Sequence, residues 1–425
     1  MSALTRLRNF WMLWVTTIVL ACFSSAVAQV SYKVTDLGTL EKDNLGCAMS
    51  LNNEGWTEIM AGYFEAGTQD SVPAYPLSGR AVMGIDGYKI DLGTLGGQNT
   101  WMMWGQINDR AQIVGYSETS VPDPNGEDVC GFGTHVTCRP FLWEFFHMRA
   151  LQTLGGNNGQ ASGINNRGQI AGFAENGEVD STCPPGATNN RIDLGAFWKN
   201  AEAKPQVLSP VGSDPDSIAY GINEHGQAVG YSGSCIAVNH AVVWNNRTPT
   251  PLQDLGSGAI AYGINNQGQI VGAVGDGTTQ YGALWQNGVL TNFNNLPPGD
   301  IGGLASGINN KGQVVGSNFD SHFNWSDGFI YENGVMTDLN TLIPAGSNLY
   351  VTMANKINER GQISGMAIVH SGPHEGDIHA ILLTPVNESI GKSMADVART
   401  DQKITLPANV GKQILRRSGL GRLGQ

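Results

Sequence analysis

The chain has 425 residues, of which 57 are Gly, 24 are basic and 36 are acidic. So much Gly carries too large a backbone entropy cost for a helical protein, its lack of a three-residue period excludes collagen, and a 41% hydrophobic content excludes disorder. What remains is a turn-rich, all-β protein whose low charged content, 14%, fits sheets packed on both faces.

In chain order, Arg6 and Arg8 precede an apolar run from Phe10 to Phe23 and the small-residue stretch Ser24-Ser25-Ala26-Val27-Ala28. Basic, then apolar, then small is the order of a secretory signal, so residues 1–28 are expected to leave by cleavage after Ala28. Two readings compete with cleavage. The stretch from Phe10 to Ala28 is about as long as a spanning helix, and Val19-Leu20-Ala21-Cys22 resembles a lipoprotein box that would place a lipid on Cys22. No later segment is apolar enough to span a bilayer. The product is therefore expected outside the cytoplasm, released, periplasmic or at the cell surface. Without the signal and the basic last 39 residues, positions 29–386 hold 15 positive and 33 negative charges, a net of −18. A body of that sign repels nucleic acid and anionic lipid, and neither is expected as a partner.

The middle of the chain repeats. Gly163-Ile164-Asn165-Asn166-Arg167-Gly168-Gln169-Ile170-Ala171-Gly172 recurs around Asn223, Asn265, Asn309 and Asn358. Looser copies surround Asn52 and Asn108, the second with Ala111 in place of the turn Gly. Seven copies, 42 to 58 residues apart, fall in the range of propeller blades with insertions. Each reads as a hairpin in which Asn opens a type I turn and Gly closes it in a left-handed conformation. A third apolar run follows, as in Pro140-Phe141-Leu142-Trp143. A fourth ends in Asp-Leu or its equivalent: Leu92, Leu151, Leu208, Asp254-Leu255, Phe293 and Asp338-Leu339. Tight turns such as Asp86-Gly87, Asn287-Gly288 and Asn333-Gly334 join the third run to the fourth. Trp143, Trp198, Trp244, Trp285 and Tyr331 recur at one place in the third run, as packing between repeats predicts.

The last copy stops after three strands. Its fourth is supplied by Tyr32-Lys33-Val34-Thr35-Asp36-Leu37-Gly38-Thr39-Leu40, which matches Tyr88 to Leu95. The expectation is a seven-bladed β-propeller of four-stranded antiparallel blades over residues 29–386, its ring closed by the N-terminal strand. Residues 387–425 form a basic tail.

The Ile-Asn-Asn-x-Gly-Gln-Ile-Val-Gly phrase, the His-Ala-apolar strand and the Asp-Leu-Gly-Thr-Leu strand resemble the HAF-repeat proteins, a group of bacterial extracellular repeat proteins. The likeness covers nearly all of residues 29–386, although only His240 and His379 keep the family's His and neither is followed by Phe. It implies export and a bacterial source, and no particular biochemical activity.

Function has to come from a site. The long insertions fall in the second turn of the early blades, about Glu65–Ser78, Thr119–Cys138, Glu175–Asp193 and Ser232–Asn239, all on one face. Candidate ligand-binding residues there are Tyr63, Trp101, Tyr116, Asp123, Asp128, Glu175 and Tyr231, with Glu65, Asp70, Glu118, Glu127 and Asp180 nearby. Aromatic rings beside carboxylates suit a sugar, stacked on one side and hydrogen-bonded on the other. Asp123, Asn125 and Asp128 make an oxygen-rich, Gly-bent loop that would suit calcium, without the spacing of an EF-hand. Cys130 with Cys138, and Cys183 with Cys235, are expected to pair in an oxidising compartment, leaving Cys47 over. His370, His374 and His379 read as turn and strand residues rather than metal ligands. No nucleophile elbow, His-Glu-x-x-His or phosphate loop is present, and no catalytic residue is assigned. The reading is a monomeric, secreted, non-catalytic module that binds or scaffolds an extracellular glycan or protein. The alternative is a hydrolase or lyase acting on glycans through carboxylates of the same face.

Overall fold

The computed structural model describes residues 30–40, 43–63, 78–294, 296–297, 299–320 and 325–386. The signal segment with Cys22, the loop holding Glu65 and Asp70, and the basic tail lie outside them. The described chain is all-β, with 28 strands and one short 3-10 turn at Leu339–Thr341. The strands form seven four-stranded antiparallel units. Four of the units join in pairs through a single parallel residue pair each, Leu45 with Ile378 and Gln280 with Gly302.

The third unit shows the plan: Gly159–Ile164, Ile170–Val179, Arg191–Trp198 and Gln206–Leu208 lie side by side in chain order. The seventh departs from it as the sequence predicts. Leu349–Ile357, Ile363–Val369 and Ile378–Val386 come from the end of the described chain, and Ser31–Gly38 adds the fourth strand, running antiparallel from Ser31 opposite Val386 to Gly38 opposite Ala380.

One expected strand shifts. In the fourth unit the outer strand is Thr248–Pro251, and Leu252, not Leu255, donates its N–H to the third strand, at Ala241 O (2.8 Å). Leu92, Leu151 and Phe293 make the same bond in their units, so the anchor is the apolar residue that directly follows the four-residue outer strand, five past the turn, and Leu255 stays 39% exposed.

The first strands share an irregularity. The register slips one residue at Ala48/Ser50, Ala161/Gly163, Ala219/Gly221, Ala261/Gly263 and Ala305/Gly307. A bulge leaves one residue unpaired and re-aims it. The residues so freed are Met49, Ser162, Tyr220, Tyr262 and Ser306. Opposite them, the Gly ending the motif has no alternative: a Cβ on Gly172, Gly230, Gly272, Gly316 or Gly365 would come within 2.1 Å of a first-strand carbonyl oxygen. The second unit carries a wider bulge over Trp101–Gln106, and Trp104 takes a left-handed φ of 66°. Its indole stacks on Tyr262 of the fifth unit, with centroids 4.4 Å apart and planes 9° apart, while Tyr220 packs on both rings. One buried cluster, holding Met49, Met103, Trp104, Phe173, Tyr220, Tyr262, Leu304 and Met353, thus draws on all the units.

The repeated Asn does more than open a turn. In every unit its Oδ1 accepts the backbone N–H groups two and four residues ahead. Its Nδ2 donates to the backbone carbonyl of the matching Asn in the next unit, from Asn52 through Asn108, Asn165, Asn223, Asn265, Asn309 and Asn358 and back to Asn52, at 2.9–3.2 Å. A second cycle lies one residue on. The N–H of each of Asn53, Asp109, Asn166, Glu224, Asn266, Asn310 and Glu359 donates to the side-chain oxygen of the following member, at 2.8–3.1 Å, and the last returns to Asn53.

The turn position predicted to be left-handed is so in all seven copies, including Ala111 at φ 58°. A Cβ in that region costs about 1–2 kcal/mol. Ala111→Gly is expected to stabilise the protein by about 1 kcal/mol, measured by chemical denaturation. A neutral or negative effect would mean the Ala111 methyl is worth more in packing than it costs in strain.

One buried carboxyl stands apart. Glu58 is wholly buried, neither carboxylate oxygen has a hydrogen-bond partner among the described residues, and its Oε1 fills the space a Cβ on Gly105 would need. Burial pushes its carboxyl well above the ordinary range, against the attraction of Lys356, and burial lowers Lys356 to about 8, against the pull of Glu58. A carboxyl raised on folding gives stability that is full below its unfolded value of 4.5 and lost as pH rises toward the folded value. Glu58→Gln, which cannot ionise, should match the parent near pH 4 and exceed it increasingly above, by about 1.4 kcal/mol per pH unit at most. Denaturation midpoints at pH 4, 6 and 8 test this, and parallel profiles would exclude it.

Candidate functional site

The second turns of the second, third and fourth units, residues 123–135, 180–190 and 234–237, are stitched into one roof. Cys130–Cys138 closes the first turn on its own third strand, and Cys183–Cys235 joins the third unit to the fourth. Both expected disulfides are present, as suits an oxidising compartment, and Cys47 is free and buried. Between the first two turns, Asp128 N–H donates to Asn189 Oδ1 (2.8 Å), Asn190 N–H to Glu127 Oε1 (3.0 Å) and Arg191 Nη2 to Asn125 Oδ1 (2.9 Å). Among the described residues no helix is long and apolar enough to cross a membrane.

The acidic residues of these loops serve mostly as acceptors for backbone. Asp123 Oδ1 takes the N–H groups of Asn125 and Glu127, and its Oδ2 takes Asn158 Nδ2. Asp128 takes those of Phe132 and Gly133. The oxygens that a calcium ion would need at Asp123, Asn125 and Asp128 are thus already held by N–H donors, and the loop folds on itself with those bonds.

Glu118 and Glu175 repeat one device in successive units. Glu175 Oε2 accepts the N–H of Asn157 and of Asn158, both at 3.1 Å, and its Oε1 accepts Asn158 Nδ2 at 2.9 Å. Glu118 Oε2 does the same for Gln98 N–H, Asn99 N–H and Asn99 Nδ2. The clamped Asn then reaches back a unit, with Gly79 N–H donating to Asn99 Oδ1 (3.1 Å) and Cys138 N–H to Asn158 Oδ1 (2.8 Å). Asp216 repeats the contact with Asp193 N–H (3.0 Å). Nothing in the local sequence marks this latch except an acidic residue and an Asn about 18 positions apart, repeated twice.

Beneath the roof lies a cavity of about 180 Å³. Tyr116, Phe173, Tyr220 and Tyr231 form its aromatic part, while Glu127, Glu175, Asp193, Asp216, Gln160 and Arg191 provide its polar groups. Of the candidate residues, Tyr116, Glu175 and Tyr231 meet here. Asp123 and Asp128 lie in the roof and do not line the cavity. Trp101 does not either: it is 2% exposed, its ring edge-on to Phe132 and against Gly62 and Gly79, so it packs the interior. Tyr63 ends its strand opposite Ser78. Arg191 and Asp193 fall within the Glu175–Asp193 insertion without having been singled out, whereas Asp216 and Tyr220 escaped the sequence reading because they sit at a strand start and a bulge.

The volume exceeds the roughly 150 Å³ that houses a benzene ring and falls short of the roughly 300 Å³ at which drug-sized pockets begin. One six-membered ring with its substituents fits. With four carboxyl groups against one guanidinium, the lining disfavours an anion. Burial raises the Glu175 carboxyl above its usual range, and the charge of Glu127 adds to this, against the hydrogen bonds from Asn158 and Asn157.

No family model and no curated protein matches the chain. Among solved structures, a streptogramin B lyase aligns with 84% of this chain and 98% of its own at 7% identity and a TM-score of 0.48. Virginiamycin B lyase from Staphylococcus aureus aligns with 84% and 100% at 9% identity and 0.46. A gluconolactonase from Xanthomonas campestris aligns with 84% and 90% at 9% identity and 0.35. Likeness at this distance does not extend to chemistry.

The link between the third and fourth units closes a 52-residue span. Loop-closure entropy makes it worth about 4 kcal/mol. The double variant Cys183→Ser, Cys235→Ser should lose about 3–4 kcal/mol by chemical denaturation, and a loss under 1 kcal/mol would mean the roof is held by its hydrogen bonds alone.

Proposed function

We propose that the chain is a seven-bladed β-propeller, exported and related to the HAF-repeat proteins, that binds one sugar-sized polyhydroxylated ring in the cavity beneath its cross-linked turns. The two seven-membered hydrogen-bond cycles and the N-terminal strand on the last unit support the ring. The disulfides support an extracellular or periplasmic location. The observation that carries the ligand class is the lining itself: tyrosine rings and carboxyl, amide and guanidinium groups around a space for one ring. Hydroxyl groups of a sugar can donate to the carboxylates and accept from Gln160 and Arg191, while the rings cover its apolar face.

Binding without turnover is the reading favoured by Glu175. Three of the roughly four acceptor positions of its carboxylate are taken by Asn157 and Asn158, which leaves little freedom for proton transfer. The second reading, a glycan hydrolase or lyase, rests on Glu175 and Glu127 being close enough for the charge of one to raise the other, as in acid–base pairs.

A panel of monosaccharides and short oligosaccharides, followed by calorimetry and by chromatography of the incubated ligand, tests both. The expected result is binding of a neutral sugar with no new product. Val129→Phe, which fills the cavity from its roof, should weaken that binding at least tenfold with little change in melting temperature. Released product would replace the binding reading with the catalytic one. Binding that ignores Val129→Phe would move the ligand elsewhere.

A further inference from the structure

The seventh unit holds a second cluster, separate from the cavity. Its second turn, residues 370–377, is closed by Val369 N–H to Asp377 O (2.9 Å), Gly376 N–H to Val369 O (2.8 Å) and Asp377 N–H to His374 O (3.0 Å). The last of these brings His374 Nδ1 to 3.1 Å from Asp377 Oδ2. His379 follows at the start of the third strand, its ring centroid 5.9 Å from that of His374. One ring nitrogen from each histidine and one carboxylate oxygen of Asp377 all lie within 4.8 Å of one another. The other cluster of this kind among the described residues, Asp180 with Cys183 and Cys235, has both sulfurs committed to a disulfide.

We propose that His374, Asp377 and His379 form a binding site for a divalent transition metal of the zinc class, with Asp36 of the N-terminal strand as the positioning residue for His379. Two imidazoles and a carboxylate select zinc-like ions over magnesium or calcium, which take all-oxygen sites. Three protein ligands with a fourth position open to water is a common zinc arrangement. Bonds of about 2.0–2.1 Å set tetrahedral ligand atoms about 3.4 Å apart, so the cluster must draw in by an ångström or so. His374 can do this, since its side chain is 69% exposed, while His379 at 11% is held in place.

Asp36 provides the feature that separates this cluster from a chance meeting of surface histidines. His379 Nδ1 lies 2.9 and 3.0 Å from the two Asp36 oxygens. A ring that donates Nδ1–H to a carboxylate keeps a lone pair on Nε2, and metal-bound histidines characteristically have such a partner. Asp36 belongs to the N-terminal strand, whereas the three ligands belong to the last turn and strand of the described chain. A bound ion would therefore tie the turn to the third strand and, through Asp36, stiffen the hold on the strand that completes the unit.

The test uses tag-free, mature protein stripped with chelator. Calorimetry with zinc should give one equivalent bound and a raised melting temperature, and cobalt should give the visible absorption bands of a four-coordinate site. His374→Ala, at an exposed position, should keep the fold and lose both signals. Asp36→Asn should keep the bands and weaken affinity about 10- to 100-fold. His370→Ala, whose ring bonds Ser347 O instead, should change nothing. Absence of binding in the parent, or equal binding in His374→Ala, overturns the site. Unchanged affinity in Asp36→Asn overturns the role of Asp36.

Discussion

A sheet that is apolar on both faces can be stacked beside its neighbours only if the turn between its first two strands leaves no backbone group unpaired, because that turn lies against the neighbouring turns as well as water. One asparagine per unit meets this constraint. An amide side chain offers an acceptor oxygen and two donor hydrogens in one plane. Here the oxygen serves the turn of its own unit and a hydrogen serves the next unit's carbonyl. Neither Asp, which lacks the donors, nor Ser, which lacks the reach, can do both. The order within each turn and the placing of one unit beside the next therefore rest on the same few atoms.

The second cycle, one residue further on, uses looser chemistry. It needs only a side-chain oxygen to meet an N–H, so Asn, Asp and Glu all occur. That tolerance hid it in the sequence, where the first cycle shows as an invariant letter and the second as scatter. The same distinction governs most of what could be read in advance. The hairpin turns, the left-handed Gly position, the strand lent by residues 31–38 and both disulfides were legible because each depends on a residue type that has no substitute, or on a repeat that can be laid against another. The outer strand of the fourth unit was misplaced because Asp254-Leu255 copies the letters of a motif whose physical requirement, an apolar anchor a fixed distance beyond the turn, is met by Leu252.

The site was legible by region and not by role. Tyr116, Glu175 and Tyr231 do reach the cavity, since long insertions on one side must roof something. An acidic loop residue, however, has the same letter whether it waits for a ligand or caps a backbone N–H. Asp123, Asp128 and Glu118 prove to be caps, and only three-dimensional closure of the loops supplies the donors they hold. Trp101 was misjudged for a related reason: the bulge that follows it in its strand could not be seen in the spacing, and it carries Trp104 into the centre while Trp101 packs behind.

Position of the cavity follows from what fills the middle. Trp104 from the second unit lies flat on Tyr262 from the fifth, and Tyr220 closes on both, so the space between the first strands is occupied at this level. The cavity lies instead to one side, under the second turns of the second to fourth units. Those insertions are held by two disulfides, one within the second unit and one joining the third unit to the fourth, and pinned by buried carboxylates, so their shape exists before anything binds. A preformed wall spares a small ligand the entropy of ordering loops, which matters most when one ring is all that can be buried. The acidity of the chain acquires a structural meaning from this: much of it is spent holding the roof in place, and even Glu127, Glu175 and Asp216, which face the cavity, accept backbone N–H groups of neighbouring loops and strands.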